Sequence, residues 1–149
     1  MKAETDPITD DEFLLRRVRI ERFRTDQVPI ISPNAFEPRT QGRDPDTDGI
    51  SFYRAACLND PDEILPGDPQ RRRVNGIVRL SVSFLKSLNL SVVSKLDARV
   101  KGHVVIPELN AQDYQANKAR FKPIMLKLAE EASKDENIVR WPQGSESSE

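Results

Sequence analysis

Cysteine and histidine are nearly missing from this chain, which has one of each, Cys57 and His103, in 149 residues. A lone cysteine forms no intrachain disulfide, and there is no Cys/His cluster to hold zinc. A lone histidine excludes any nuclease mechanism that needs two. Long apolar runs are also missing. The longest, residues 55–58, is far short of a membrane span. The opening residues, 1–7, lack the apolar stretch of a secretory signal, so a cytoplasmic protein is expected. Neither sign of charge dominates: 23 basic residues face 24 acidic ones, for a formal net charge of -1. That argues against a dedicated non-specific nucleic-acid binder, which is usually strongly basic, but it leaves room for a local basic patch. No glycine-rich phosphate loop, no G-x-G-x-x-G, no G-x-S-x-G elbow and no metalloprotease helix occurs.

What is present is a polar but globular composition, 37% hydrophobic and 32% charged, in a chain of one-domain length. Residues 1–9 and 143–149 are polar and are expected to be a flexible N-terminus and a disordered tail around a single domain at 10–142. Seven of the eleven prolines fall between Pro29 and Pro69. The first half is therefore expected to be extended segments and ordered loops, and the second half to hold most of the regular structure.

Local patterns give a coarse map. Thr9 and Glu12 fit a capping box that starts a helical turn. Val18 and Ile20 alternate with Arg17, Arg19 and Glu21, which favours a strand. Ser32-Pro33 predicts one helical turn, Ile50 to Tyr53 a strand, and Asp60-Pro61 a short helix. A strand at 74–82 leads into a short helix capped by Ser81 or Ser83, with Asn89 left-handed at its end. Further strands are expected at 90–93, 102–106 and 137–141. Asn110 caps a helix that Pro123 should divide into pieces at 111–121 and 123–133. The fold class is α+β: a small mixed or antiparallel sheet with two to four short helices. Trp141 is expected to pack in the core.

Four groups of residues are candidates for chemistry. Asp44, Asp46 and Asp48, followed by Gly49, match the opening of a calcium loop, since three alternating acids at a tight turn supply oxygen ligands. The bidentate glutamate expected at the twelfth position is replaced by Ala55, so a plain acidic turn competes with calcium, the one cofactor the sequence suggests. Arg16, Arg17, Arg19, Arg22 and Arg24 form one arginine cluster, and Arg71, Arg72 and Arg73 a second. Guanidinium forks bind phosphate bidentately, so Arg16, Arg17, Arg19, Arg71, Arg72 and Arg73 are candidate phosphate ligands. Asp10, Asp11, Glu12, Glu21 and Asp26 lie close enough in sequence to neutralise the first cluster. His103 starts a strand and is a candidate acid or base; Ser51 and Ser32 are its candidate partners. Cys57, among small and apolar neighbours, reads as core filler.

An ADP-ribosyltransferase pattern is met in part. That fold uses an arginine or histidine on an early strand, a serine-bearing strand and a late glutamate, and Arg17, Ser51 and Glu108 occur in that order. Ser51-Phe52-Tyr53 departs from Ser-Thr-Ser, and no Glu-x-Glu surrounds Glu108.

Leu15-Arg16-Arg17, Ser32-x-x-Ala35-Phe36, Gly49-Ile50-Ser51, Gly76-Ile77-Val78 and Gly102-His103 together resemble a group of small uncharacterised bacterial proteins over residues 14–106. The resemblance implies a bacterial cytoplasmic origin and directs attention to Arg17, Ser32, Ser51 and His103. Two functions follow as expectations. The first is a non-catalytic module that binds a partner protein, in a toxin, defence or regulatory system. The second is a small enzyme acting on RNA or a nucleotide, nuclease-like or ADP-ribosyltransferase-like, with His103, Arg17 and Ser51 as its catalytic set. If Arg17, Ser51 and His103 share one concave pocket, the second gains ground.

Overall fold

Alternating burial along β1 (Phe13–Arg19) sends Leu14 and Val18 to one side of a sheet and Leu15 to the other, with the arginines between them. In the computed structural model, which describes residues 1–96 and 99–144, the same alternation recurs in β2 (Ile50–Arg54), while β3 (Asn75–Ser81) and β5 (His103–Ile106) carry runs of consecutive buried residues, covered on both faces. Short strands β4 (Val93–Ser94) and β6 (Ile138–Arg140) form the edges. The six strands make one open antiparallel sheet in the order β4-β5-β2-β1-β3-β6. With helices α1 (Pro69–Arg73), α2 (Val82–Ser87), α3 (Ala111–Ala116) and α4 (Lys118–Ala132), this is a single-domain α+β fold.

The main core lies on one face of the sheet. Leu14, Val18, Phe52, Val78, Leu80, Val104 and Ile106 pack there against Phe121, Met125, Leu128, Ala129 and Ala132 of α4. A smaller cluster on the other face joins Leu15 and Ile77 to Leu58, Ile64 and Leu65. Among the described residues, no helix is long and apolar enough to cross a membrane.

Several local expectations are met. Ser32 Oγ accepts from the Asn34 N–H at the head of a 3-10 turn, Pro33–Phe36. Asp60 and Glu63 form a capping box on the 3-10 turn Pro61–Ile64. Ser81 caps α2, Asn89 is left-handed, and Asn110 caps α3.

Others are corrected. The Thr9–Glu12 box closes a turn and no helix: the Glu12 N–H donates to the Thr9 carbonyl, and the Thr9 N–H to Glu12 Oε2. The strand expected at 90–93 forms at Val93–Ser94, because the left-handed Asn89 and the following residues are spent returning from α2. The helix break falls at Asn117, not at Pro123. Asn117 leaves the helical region (φ -156°) and its side chain caps α4, so Pro123 forfeits a bond inside an otherwise intact helix. Trp141 is not in the core: it follows an edge strand, is 49% exposed and packs its ring on Phe23.

The first nine residues make defined contacts with the domain. Arg54, fully buried, donates to the carbonyls of Glu4, Asp6 and Pro7 and forms a two-pronged pair with Glu12 at 2.8 Å. Lys2 N–H reaches the Ala56 carbonyl. At the other end, the N–H groups of Gln143 and Gly144 both donate to the Arg73 carbonyl; residues 145–149 of the expected tail lie outside the described residues.

Candidate functional site

β1 and β2 pair only at Leu14 with Arg54 and Leu15 with Tyr53. Beyond that point the two strands part. The Arg16 guanidinium occupies the opening, donating from Nη1 to the Ser51 carbonyl (2.8 Å) and from Nε to the Ala35 carbonyl (2.9 Å). It also lies over the rings of Phe36 and Phe52, 5.7 and 5.6 Å from their centroids. A side chain has thus replaced the missing ladder partners of a strand that must leave its carbonyl satisfied. Burial lowers the pKa of Arg16 to about 10, which Asp46 opposes and Arg17 reinforces. The guanidinium is still a cation at neutral pH.

The opening leads into a cleft of about 660 Å³. Its floor follows from sheet register. Tyr53 stands opposite His103 and Ser51 opposite Val105, so Ser51 and His103 are diagonal neighbours on one face. His103 Nε2 lies 2.8 Å from Ser51 Oγ, and the imidazole stacks on the Tyr53 ring with centroids 5.1 Å apart. The histidine is therefore fixed from two directions.

Arginines wall this floor. Arg17 donates to the Ile64 carbonyl at 3.1 Å and pairs with no carboxylate among the described residues. Burial pushes its pKa below the ordinary arginine value. Arg71, Arg39 and Arg99 push the same way, while Tyr53 opposes. Like charges held together in this manner favour an anion that would relieve them. In all, seven cationic and four acidic side chains border the cleft, in a chain whose formal net charge is -1. Three of those acids have other duties. Glu37 accepts from the Tyr114 hydroxyl, Asp46 from the Arg39 N–H, and Asp48 pairs with Lys95.

The structure thus gathers Arg16, Arg17, Arg19, Arg71, Ser51 and His103 around one cleft. It does not bring in the rest. Arg72 turns to Asp62 and the Pro66 carbonyl, and Arg73 does not border the cleft. Ser32 is spent on its cap. Glu108 accepts from the N–H and hydroxyl of Ser91, away from the cleft, so the ADP-ribosyltransferase pattern lacks its glutamate. Cys57 is buried, which raises its thiol pKa, and is not in the cleft wall. Among the described residues, the ion pairing expected of the first arginine cluster is made by Arg19 with Glu21; Glu12 serves Arg54 and Asp10 serves Lys86.

The geometry of the acidic turn fits the plain-turn reading that competes with calcium. Asp44, Asp46 and Asp48 border the cleft, but no three acidic, histidine or cysteine groups gather in metal-binding geometry among the described residues. The reason is local. The Asp46 carbonyl is tied to the Ala111 and Gly49 N–H groups, and the carboxylates of Asp46 and Asp48 are drawn to Arg39 and Lys95.

Sequence reasoning passed over Arg39, Tyr53 and Lys95. Tyr53 had a signal, since it lies two residues from Ser51 on a strand and must share its face. Arg39 and Lys95 sit in or beside loops with no such periodicity. No family model, curated protein or solved structure matches the chain.

Proposed function

We propose that the cleft binds a nucleotide by its phosphate and that the chain is a small enzyme acting on that ligand. The observation that carries this reading is the hydrogen-bonded Ser51–His103 pair at the floor of an arginine-walled cleft. Arg17 and Arg71 supply charge-assisted bonds to phosphate oxygens and stabilise negative charge as it develops. His103 exchanges the proton, and Ser51 and Tyr53 hold its ring in place. We prefer this to a partner-protein module because it uses groups that distant strands bring together, whereas the module rests on composition alone.

The test is calorimetric titration with adenosine 5′-monophosphate and with RNA, followed by product analysis. Arg17→Ala is expected to abolish nucleotide binding. His103→Ala is expected to keep binding and lose turnover, and Ser51→Ala to lower kcat and displace its pH profile. Equal binding by the native chain and Arg17→Ala would remove the phosphate role; unchanged turnover in His103→Ala would remove the proton-transfer role.

A further inference from the structure

Beside the main cleft lies a second cavity of about 340 Å³, and the two share a wall made by Arg22, Asn34, Glu37 and Arg39. Its far side adds Tyr114 and Lys118. The lining is polar and cationic. Among the described residues neither Arg22 nor Lys118 forms an ion pair, and the Lys118 ammonium rests 5.7 Å from the Tyr114 ring centroid. The acid at the shared wall, Glu37, is engaged by the Tyr114 hydroxyl. Tyr114 itself is only 7% exposed and stands edge-on to Phe121. The second cavity therefore offers cations, and the aromatic ring in its lining, Tyr114, is nearly buried and already covered by Lys118. The stacked Tyr53–His103 pair belongs to the main cleft alone.

From the shared wall we infer that the ligand is a nucleotide with a second, separate phosphate group. One phosphate lies in the main cleft at Arg17 and Arg71. The other lies in the side cavity at Arg22 and Lys118, with Arg39 between them. This rests on the nucleotide reading above and narrows it. The second phosphate has two sources with the same chemistry: a free nucleoside bisphosphate, or the next phosphodiester of a nucleic-acid strand.

The experiment compares three probes by calorimetry: adenosine 5′-monophosphate, adenosine 3′,5′-bisphosphate and an adenylate trimer. The bisphosphate or the trimer is expected to bind about tenfold tighter than the monophosphate, as one added charge-assisted contact would give. If the trimer is the tight probe, its log affinity should fall with log salt more steeply by roughly 0.7 for each added phosphate contact. Lys118 is exposed, so Lys118→Ala should fold. It is expected to erase the tenfold advantage and leave monophosphate binding unchanged, while Arg17→Ala weakens all three probes. A trimer tighter than the bisphosphate identifies a strand; the reverse identifies a free nucleotide. Monophosphate binding with no gain from a second phosphate overturns this inference alone, as does a Lys118→Ala variant that keeps the gain. Absence of binding by all three overturns it together with the nucleotide reading.

Discussion

Arg16 of β1 donates to the main-chain carbonyl of Ser51 in β2, at the level where the two strands no longer pair. One side chain therefore stands in for a stretch of sheet ladder. It keeps the cleft open by satisfying a carbonyl that would otherwise draw the strands together or call for water. Replacing Arg16 with Met leaves the Ser51 and Ala35 carbonyls without this donor, and should cost about 1–3 kcal/mol for each buried group left unsatisfied. Arg16→Lys keeps the charge without the fork and should recover only part of the loss. Urea unfolding of the two variants checks this; a Lys variant as stable as the native chain would show that charge alone suffices.

The Glu12–Arg54 pair should govern acid stability. Burial raises the Glu12 pKa, but hydrogen bonds from Arg54, the Thr9 N–H and Lys2 outweigh it and bring the value down to about 2. A carboxyl whose folded pKa is depressed stabilises the fold above its unfolded value of 4.5, and that contribution is lost as pH falls toward 2. Unfolding free energy is therefore expected to drop between pH 4.5 and 2 in the native chain, and to drop less in Glu12→Gln. Glu12→Ala strands the buried Arg54 cation and should cost about 3–5 kcal/mol at neutral pH. Denaturant titrations at several pH values measure both effects.

Gly49 has a left-handed backbone (φ 118°), and a Cβ there would lie 2.1 Å from the Ile106 carbonyl oxygen. Any side chain at this position must push β5 and the acidic loop apart. Gly49→Ala is expected to destabilise by about 1–3 kcal/mol from backbone strain alone, with the steric clash adding to it. Because residues 44–48 border the cleft, the same variant should weaken nucleotide binding. Thermal melts with and without adenosine 5′-monophosphate separate the two consequences.

The carboxylates of Asp46 and Asp48 are engaged by the Arg39 N–H and Lys95. Calcium would have to break these contacts to bind. Melting curves in calcium and in chelator are therefore expected to coincide, whereas a resident calcium at 100 times its Kd would add about 2.7 kcal/mol.

Much of the fold was legible because it depends on neighbours in sequence. Val18 alternating with Arg17 and Arg19 announced β1, although Ile20 and Glu21 of the same pattern lie in a 3-10 turn just beyond it. Ser32, Asp60, Ser81 and Asn110 announced their turns and helices because a cap acts within three residues. Pro123 misled because the local rule gives the cost of a proline but not what offsets it. Asn117 supplies a cap six residues earlier, and the face carrying Phe121, Met125 and Leu128 is buried in the core. Trp141 misled because residue type says nothing about whether its strand lies at an edge.

The sequence by itself determined which side chains were available: one histidine, one cysteine, two arginine clusters and an acidic turn. It also pointed to the buried faces of β2 and α4, because those follow from periods of two and of 3.6 residues. Only the tertiary structure decided which of these groups meet. Ser51 and His103 touch because β2 lies beside β5, and Arg17 joins them because β1 lies beside β2 and then diverges. Strand order is set by the packing of the whole core, so contacts between residues 52 positions apart could not be read from either segment alone.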